Sequence, residues 1–187
     1  RLLEHANGEE RLARHGADAS SEPAPNERLR SIGPMVLADV RQMDLHALWQ
    51  ALEPLGLATP NIGTLTDMIC CPGLDFCSLA NAGTIAVARA IQERCGDFDY
   101  LYDLGPIEIK MSGCMNACGQ HHVGHIGILG VDKHGEEWYQ IQLGGSARGQ
   151  VALGEVLGPS VRQHQLPEAI DRILDVYVRR REDAGET

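Results

Sequence analysis

Four cysteines stand out by their spacing: Cys71 and Cys77, five residues apart in between, and Cys114 and Cys118, separated by three. A thiolate is a metal ligand, and two pairs on two loops can close around one metal centre. Zinc modules and thioredoxin-like redox sites usually separate a pair by two residues, so these loops are wider than a single small ion needs. A cubane iron–sulfur cluster fits better, since each of its four irons takes one thiolate and the irons stand apart. A zinc site and a set of buried thiols are the competing readings. Cys70 is one residue out of register with Cys71 and, on a strand, points to the other face, which makes it a core residue. Cys95 falls near the end of a helical stretch with no partner by spacing and reads as structural.

Other chemistry-bearing residues lie close by. His121, His122 and His125 include a pair four apart, but Gly124 interrupts the segment and no carboxylate occupies a helical ligand position, so a zinc reading is weak. At most one of them would serve as a proton donor, because an imidazole titrates near neutral pH. Lys110, which shortly precedes the second cysteine pair, and Arg148, in a Gly- and Ser-rich stretch, are candidates for contact with an anion. The acidic groups at Asp97–Asp99 and Glu136–Glu137 read as solvated.

The elements that must position these residues follow from periodicity. A strand is expected over 65–70, broken by Pro72-Gly73, and a helix over 79–94 with Leu79, Ala82, Ala86, Ala90 and Ile91 on one face. Residues 106–111 alternate Ile107, Ile109 and Met111 with Glu108 and Lys110, the pattern of a half-buried strand, which Ser112-Gly113 ends. Each cysteine pair is therefore expected on a loop leaving a strand, where backbone can wrap a cofactor and the sheet fixes its position. Two further strands are expected over 126–131 and 137–143, joined by a turn at Asp132–Gly135, then a loop with a short ordered piece at 151–156. The clearest helix is 167–181, with proline at its start and Arg179-Arg180-Arg181 where the helix dipole favours cations. Upstream, 35–40 suggests a short strand and 45–55 a helix capped by Asp44, its leucines and Trp49 packing into a core. Residues 1–15 suggest a short helix and 16–27 a linker.

A chain of 187 residues with 43% hydrophobic and only 4% aromatic residues can bury one sizeable, aliphatic core. No apolar run reaches the ~20 residues of a membrane span and residues 1–14 lack a secretion signal, so the expected setting is the cytoplasm, with no membrane partner. Six cysteines in a reducing compartment suit metal ligation better than disulfides. A net charge of −10 disfavours nucleic acid as a partner.

The cysteine pairs, with Pro72-Gly73 inside the first and Ser112-Gly113 before the second, resemble the cluster signature of the sirohaem-dependent sulfite and nitrite reductases. The resemblance extends through Leu65–Asp67, Asp75–Ala82, His122–Asp132 and Leu143–Gly145, covers roughly 35–187, and is nearest to the C-terminal half of the bacterial ferredoxin-type haemoprotein. It implies an α/β (α+β) fold, with a cluster- and sirohaem-binding domain at 61–187, part of a ferredoxin-like half-domain at 35–60, and an unassigned 1–34. It also implies a [4Fe-4S] cluster held by Cys71, Cys77, Cys114 and Cys118, with Cys118 bridging to sirohaem and Asn116, Gly113 and Gly119 near the macrocycle. The implied reaction is six-electron reduction of a small anion, sulfite or nitrite, with Cys118 and Lys110 as catalytic candidates and ferredoxin or a flavoprotein as electron donor. The family's N-terminal half, which supplies most of the basic residues for sirohaem and substrate, is not found in this sequence. Little turnover is therefore expected of the chain alone, unless a separate N-terminal half completes it. The alternative is an iron–sulfur electron carrier or scaffold without sirohaem.

Overall fold

The computed structural model describes residues 37–182. The readings for 1–34, and Met35 and Val36 of the expected first strand, lie outside these residues. Leu37–Val40 forms a turn rather than a strand, with Asp39 at φ 57°. Helix α1 (Leu45–Leu52) follows a short 3-10 helix, Gln42–Asp44, and runs into another, Glu53–Leu55, which Gly56 ends at φ 66°. Asp44 does not cap α1; its carboxylate accepts instead from Arg41 Nε at 2.7 Å. The expectation that α1 packs into the core is corrected as well: none of its residues is buried, and Trp49 keeps 46% of its surface exposed.

The remainder is a six-stranded mixed sheet. Strands β1 (Ile69–Cys70), β2 (Ile109–Ser112) and β3 (Ile126–Lys133) are parallel neighbours. Strand β4 (Glu136–Leu143) turns back antiparallel to β3, and the two-residue strands β5 (Glu155–Val156) and β6 (Val161–Arg162) both pair with β4. The parallel step from β1 to β2 requires a crossover, which helices α2 (Ile85–Arg94) and α3 (Phe98–Leu104) supply. Helix α4 (Leu166–Arg180), with Pro167 in its first turn, closes the described chain.

The core gathers Ile109, Met111, Ile128, Tyr139 and Ile141 from the sheet with Val87 and Ile91 of α2, Leu101 and Leu104 of α3, and Leu166, Ile170 and Leu174 of α4. Arg94 of α2 pairs with Asp171 of α4, and Arg181 Nη2, just past α4, reaches Asp103 Oδ2 of α3 at 2.6 Å, so the C-terminal helix is tied to both crossover helices.

Three further expectations change. The strand over 65–70 contracts to its last two residues, because Asp67 N donates to Thr64 O at 3.0 Å in a turn. The helix over 79–94 begins only at Ile85: the amides of Asn81 and Ala82 donate to Gly113 O at 2.8 and 3.1 Å, which a helix would not allow. Strand β2 is buried on both faces rather than one, because the chain after the second cysteine pair folds back over its Lys110 side. Helix α3 was not expected; Asp97, read as solvated, caps it by accepting from Asp99 N at 3.0 Å and Tyr100 N at 3.3 Å. No helix among the described residues is long and apolar enough to cross a membrane.

Candidate metal centre

The register Cys70↔Met111 aligns the carboxyl ends of β1 and β2. Cys71 leaves the first strand and Gly113-Cys114 the second, so both cysteine loops start at adjacent strand ends, the position where parallel sheets characteristically hold ligands. Cys71 N still donates to Met111 O at 3.1 Å, and Gly113 N donates to Cys71 Sγ at 3.0 Å. The two loops are thus joined at a ligand sulfur.

The first loop turns at Gly73, φ 58°, whose carbonyl accepts from Cys77 N at 2.9 Å. A bridge between Gly73 and Gly83, with Leu74 N donating to Ala82 O at 3.1 Å, lays segment 81–84 beside the loop. Thr84 Oγ1 donates to Cys71 O, and Asp75 Oδ2 lies 3.4 Å from both Thr84 N and Ile85 N, so α2 starts against the same loop. The second loop needs left-handed backbone at Ala117 (φ 57°) and Gln120 (φ 55°). A side chain on Gly119 would put its first carbon 1.8 Å from Met111 O, so the loop folds directly onto its own strand; Gly119 N donates to Ser112 Oγ at 3.1 Å. Gly113 is also closed in: a Cβ there would meet Gly73 Cα at 2.7 Å and Ala82 O at 2.8 Å.

All six cysteines are free thiols; Cys114 is buried, Cys71 and Cys77 half-buried and Cys118 exposed. Among the described residues no three His, Cys, Asp or Glu side chains gather as ligands of a single metal ion. Cys70 and Cys95 are buried as expected, and burial pushes their thiols up to about 12 and about 11, so both are neutral at pH 7.

The other candidates separate. Lys110 retains only 4% of its surface, and its Nζ lies 3.1 Å from Glu108 Oε2; Arg148 Nε approaches Glu108 Oε1 at 3.5 Å. Both cations converge on this carboxylate just before β2, at the end of the strand opposite the cysteines. His125 Nδ1 accepts from Glu108 N at 3.1 Å, and His122 is exposed with its ring 3.9 Å from that of His121. His121 is fully buried with neither ring nitrogen hydrogen-bonded, and burial, aided by His122, lowers its pKa to about 4. Met115, next to Asn116, is exposed, as are Leu74 and Leu79 of the first loop. Sequence reasoning missed Thr84, Glu137 and Tyr139. Nothing local marks the last two, which lie more than fifty residues from Gly83, the residue they bind.

The family model of the nitrite and sulphite reductase 4Fe-4S domain matches residues 63–186. The chain belongs to the sirohaem-dependent nitrite and sulfite reductase family. Among curated relatives, a sulfite reductase [ferredoxin] 1 of Mycolicibacterium paratuberculosis is 30% identical over 163 residues, covering 82% of this chain and 29% of the relative. An assimilatory ferredoxin-dependent nitrite reductase of Haloferax mediterranei is 31% identical over 124 residues, covering 64% of this chain and 21% of the relative. The solved structure of the Mycobacterium tuberculosis NirA protein superposes with TM-score 0.66 at 28% identity, covering 80% of this chain and 29% of that one. The mixed α/β architecture is therefore the reductase fold, and the chain spans less than a third of the length of these relatives. A [4Fe-4S] cluster and sirohaem are the cofactors of this family. The donor set fits the cluster: four free thiols on two loops at one end of the sheet, one already receiving an amide N–H.

Proposed function

We propose that this chain is the cluster- and sirohaem-bearing portion of a reductase that converts sulfite to sulfide or nitrite to ammonia. The joining of the two cysteine loops by the 3.0 Å bond from Gly113 N to Cys71 Sγ carries the reading. Cys71, Cys77, Cys114 and Cys118 would hold the cluster, Cys118 also serving as a ligand to sirohaem; the two groups would supply the electron transfer that reduction of sulfite or nitrite needs. Burial of Cys114 keeps water from one ligand, and the Gly113 amide offsets charge on another. The exposure of Cys118 and Met115 leaves that side of the second loop accessible, with Asn116 between them. Gly119 lets the loop lie on β2, fixing where Cys118 emerges.

Lys110 is buried against Glu108 at the end of β2 away from the cysteines, which supports the view that the cations holding sulfite or nitrite come from polypeptide outside this chain. Ferredoxin is the proposed donor, since relatives are named as ferredoxin-dependent enzymes. Six cysteines without a disulfide among them suit a reducing, cytoplasmic setting. Residues 35–60 would belong to a neighbouring ferredoxin-like half-domain, whose remainder would cover the exposed apolar side of α1.

The test is the absorption spectrum of anaerobically purified protein from cells supplied for sirohaem synthesis. A Soret band together with cluster iron is expected. Cluster absorbance without a Soret band would favour an iron–sulfur carrier, and zinc in place of iron would overturn both.

A further inference from the structure

Segment 81–84 touches both cysteine loops. Ala82 O accepts from Leu74 N of the first loop, the amides of Asn81 and Ala82 donate to Gly113 O of the second, and Thr84 Oγ1 donates to Cys71 O. Gly113, held from its carbonyl side, turns its own N–H onto Cys71 Sγ. What holds the segment from behind is strand β4. Gly83 N donates to Glu137 Oε2 at 2.7 Å, and the hydroxyl of the fully buried Tyr139 donates to Gly83 O at 2.7 Å, with Glu137 Oε2 3.2 Å away. Both backbone groups of one glycine are thus gripped by two side chains two apart on β4, which strand alternation brings to the same face. Burial and the neighbouring carboxylate keep the phenol protonated, so it remains a donor.

We propose that Glu137 and Tyr139 are positioning residues that, through Gly83 and segment 81–84, aim the Gly113 amide at Cys71 Sγ and so set the reduction potential of a cluster bound there. This rests on the assignment of Cys71 as a cluster ligand. An N–H pointed at a ligand sulfur draws off charge and favours the reduced, more negative cluster; loosening it lowers the potential. Packing alone does not account for the arrangement, because Glu137 is exposed and contributes through a hydrogen bond to backbone.

The experiment uses the full chain with Glu137→Ala, Tyr139→Phe and Glu137→Gln, and Glu136→Ala as control, since Glu136 pairs with Arg162 at 2.9 Å away from Gly83. In reconstituted protein titrated with dithionite, Glu137→Ala and Tyr139→Phe are expected to shift the cluster potential to more negative values. Glu137→Gln, which keeps an oxygen for Gly83 N, and Glu136→Ala should stay near wild type. In metal-free protein, hydrogen exchange at the Gly113, Asn81 and Ala82 amides should speed up in the first two variants only. Unchanged potentials and unchanged exchange in folded Glu137→Ala and Tyr139→Phe would overturn the proposal. A wild-type chain that takes up no cluster would instead sink the assignment of Cys71, and the exchange measurements would still decide whether the latch holds Gly113.

Discussion

His121 is fully buried in the short 3-10 helix that packs on β2 and β3, and its environment resists charge. Its pKa falls from 6.5 to about 4 on folding, so between those values the unfolded chain binds the proton more tightly. Its contribution is complete above pH ~6.5 and lost as pH drops toward 4, at a cost of up to about 3 kcal/mol. Urea midpoints measured from pH 7 to 4.5 should decline in wild type and decline less in His121→Gln. The sequence does not say which of the histidines is buried; that depends on how the short 3-10 helix His121–Val123 lies on Gly127, whose missing side chain makes room for the His121 carbonyl. Gly119 makes a sharper demand, since any side chain there meets Met111 O. Gly119→Ala should lower stability by about 1–3 kcal/mol or more and reduce iron uptake, read by thermal unfolding and metal analysis.

Elements with a strong internal period were legible. Strand β4 alternates Tyr139, Ile141 and Leu143 with Gln140 and Gln142, and α4 carries Ile170 and Leu174 on one face behind a proline start; both lie within two residues of the expected bounds. Where tertiary hydrogen bonds compete with local pattern, reading failed: the alanine-rich start of the expected helix at 79–84 is spent on Gly113 and the first cysteine loop instead. Apolar periodicity in α1 gave the right helix and the wrong burial, because spacing does not say whether a partner is present. Two substitutions distinguish these cases. Ile170→Ala, at a fully buried site, should cost about 2–5 kcal/mol; Trp49→Ala, on half-exposed α1, should stay within about 0.5 kcal/mol in chemical denaturation.

At the scale of the molecule, one end of the parallel strands carries the cysteines and the other carries Glu108 with its two cations. The family was legible from the cysteine spacings and their glycine neighbours because a cluster constrains local sequence tightly; the latch on Gly83 was not, because it joins residues distant in the chain. With sulfite and reduced viologen, the chain alone is expected to show little turnover, and rates like those of a complete reductase would contradict the view that the anion-binding cations lie elsewhere. The central claim, that four named cysteines hold one cluster, is tested most directly by iron and sulfide analysis of the anaerobically reconstituted chain and its single Cys→Ser variants. About four irons per chain are expected in wild type and in Cys95→Ser, with marked loss on substituting Cys71, Cys77, Cys114 or Cys118. Full iron in all four of those variants, or loss in Cys95→Ser alone, would contradict it.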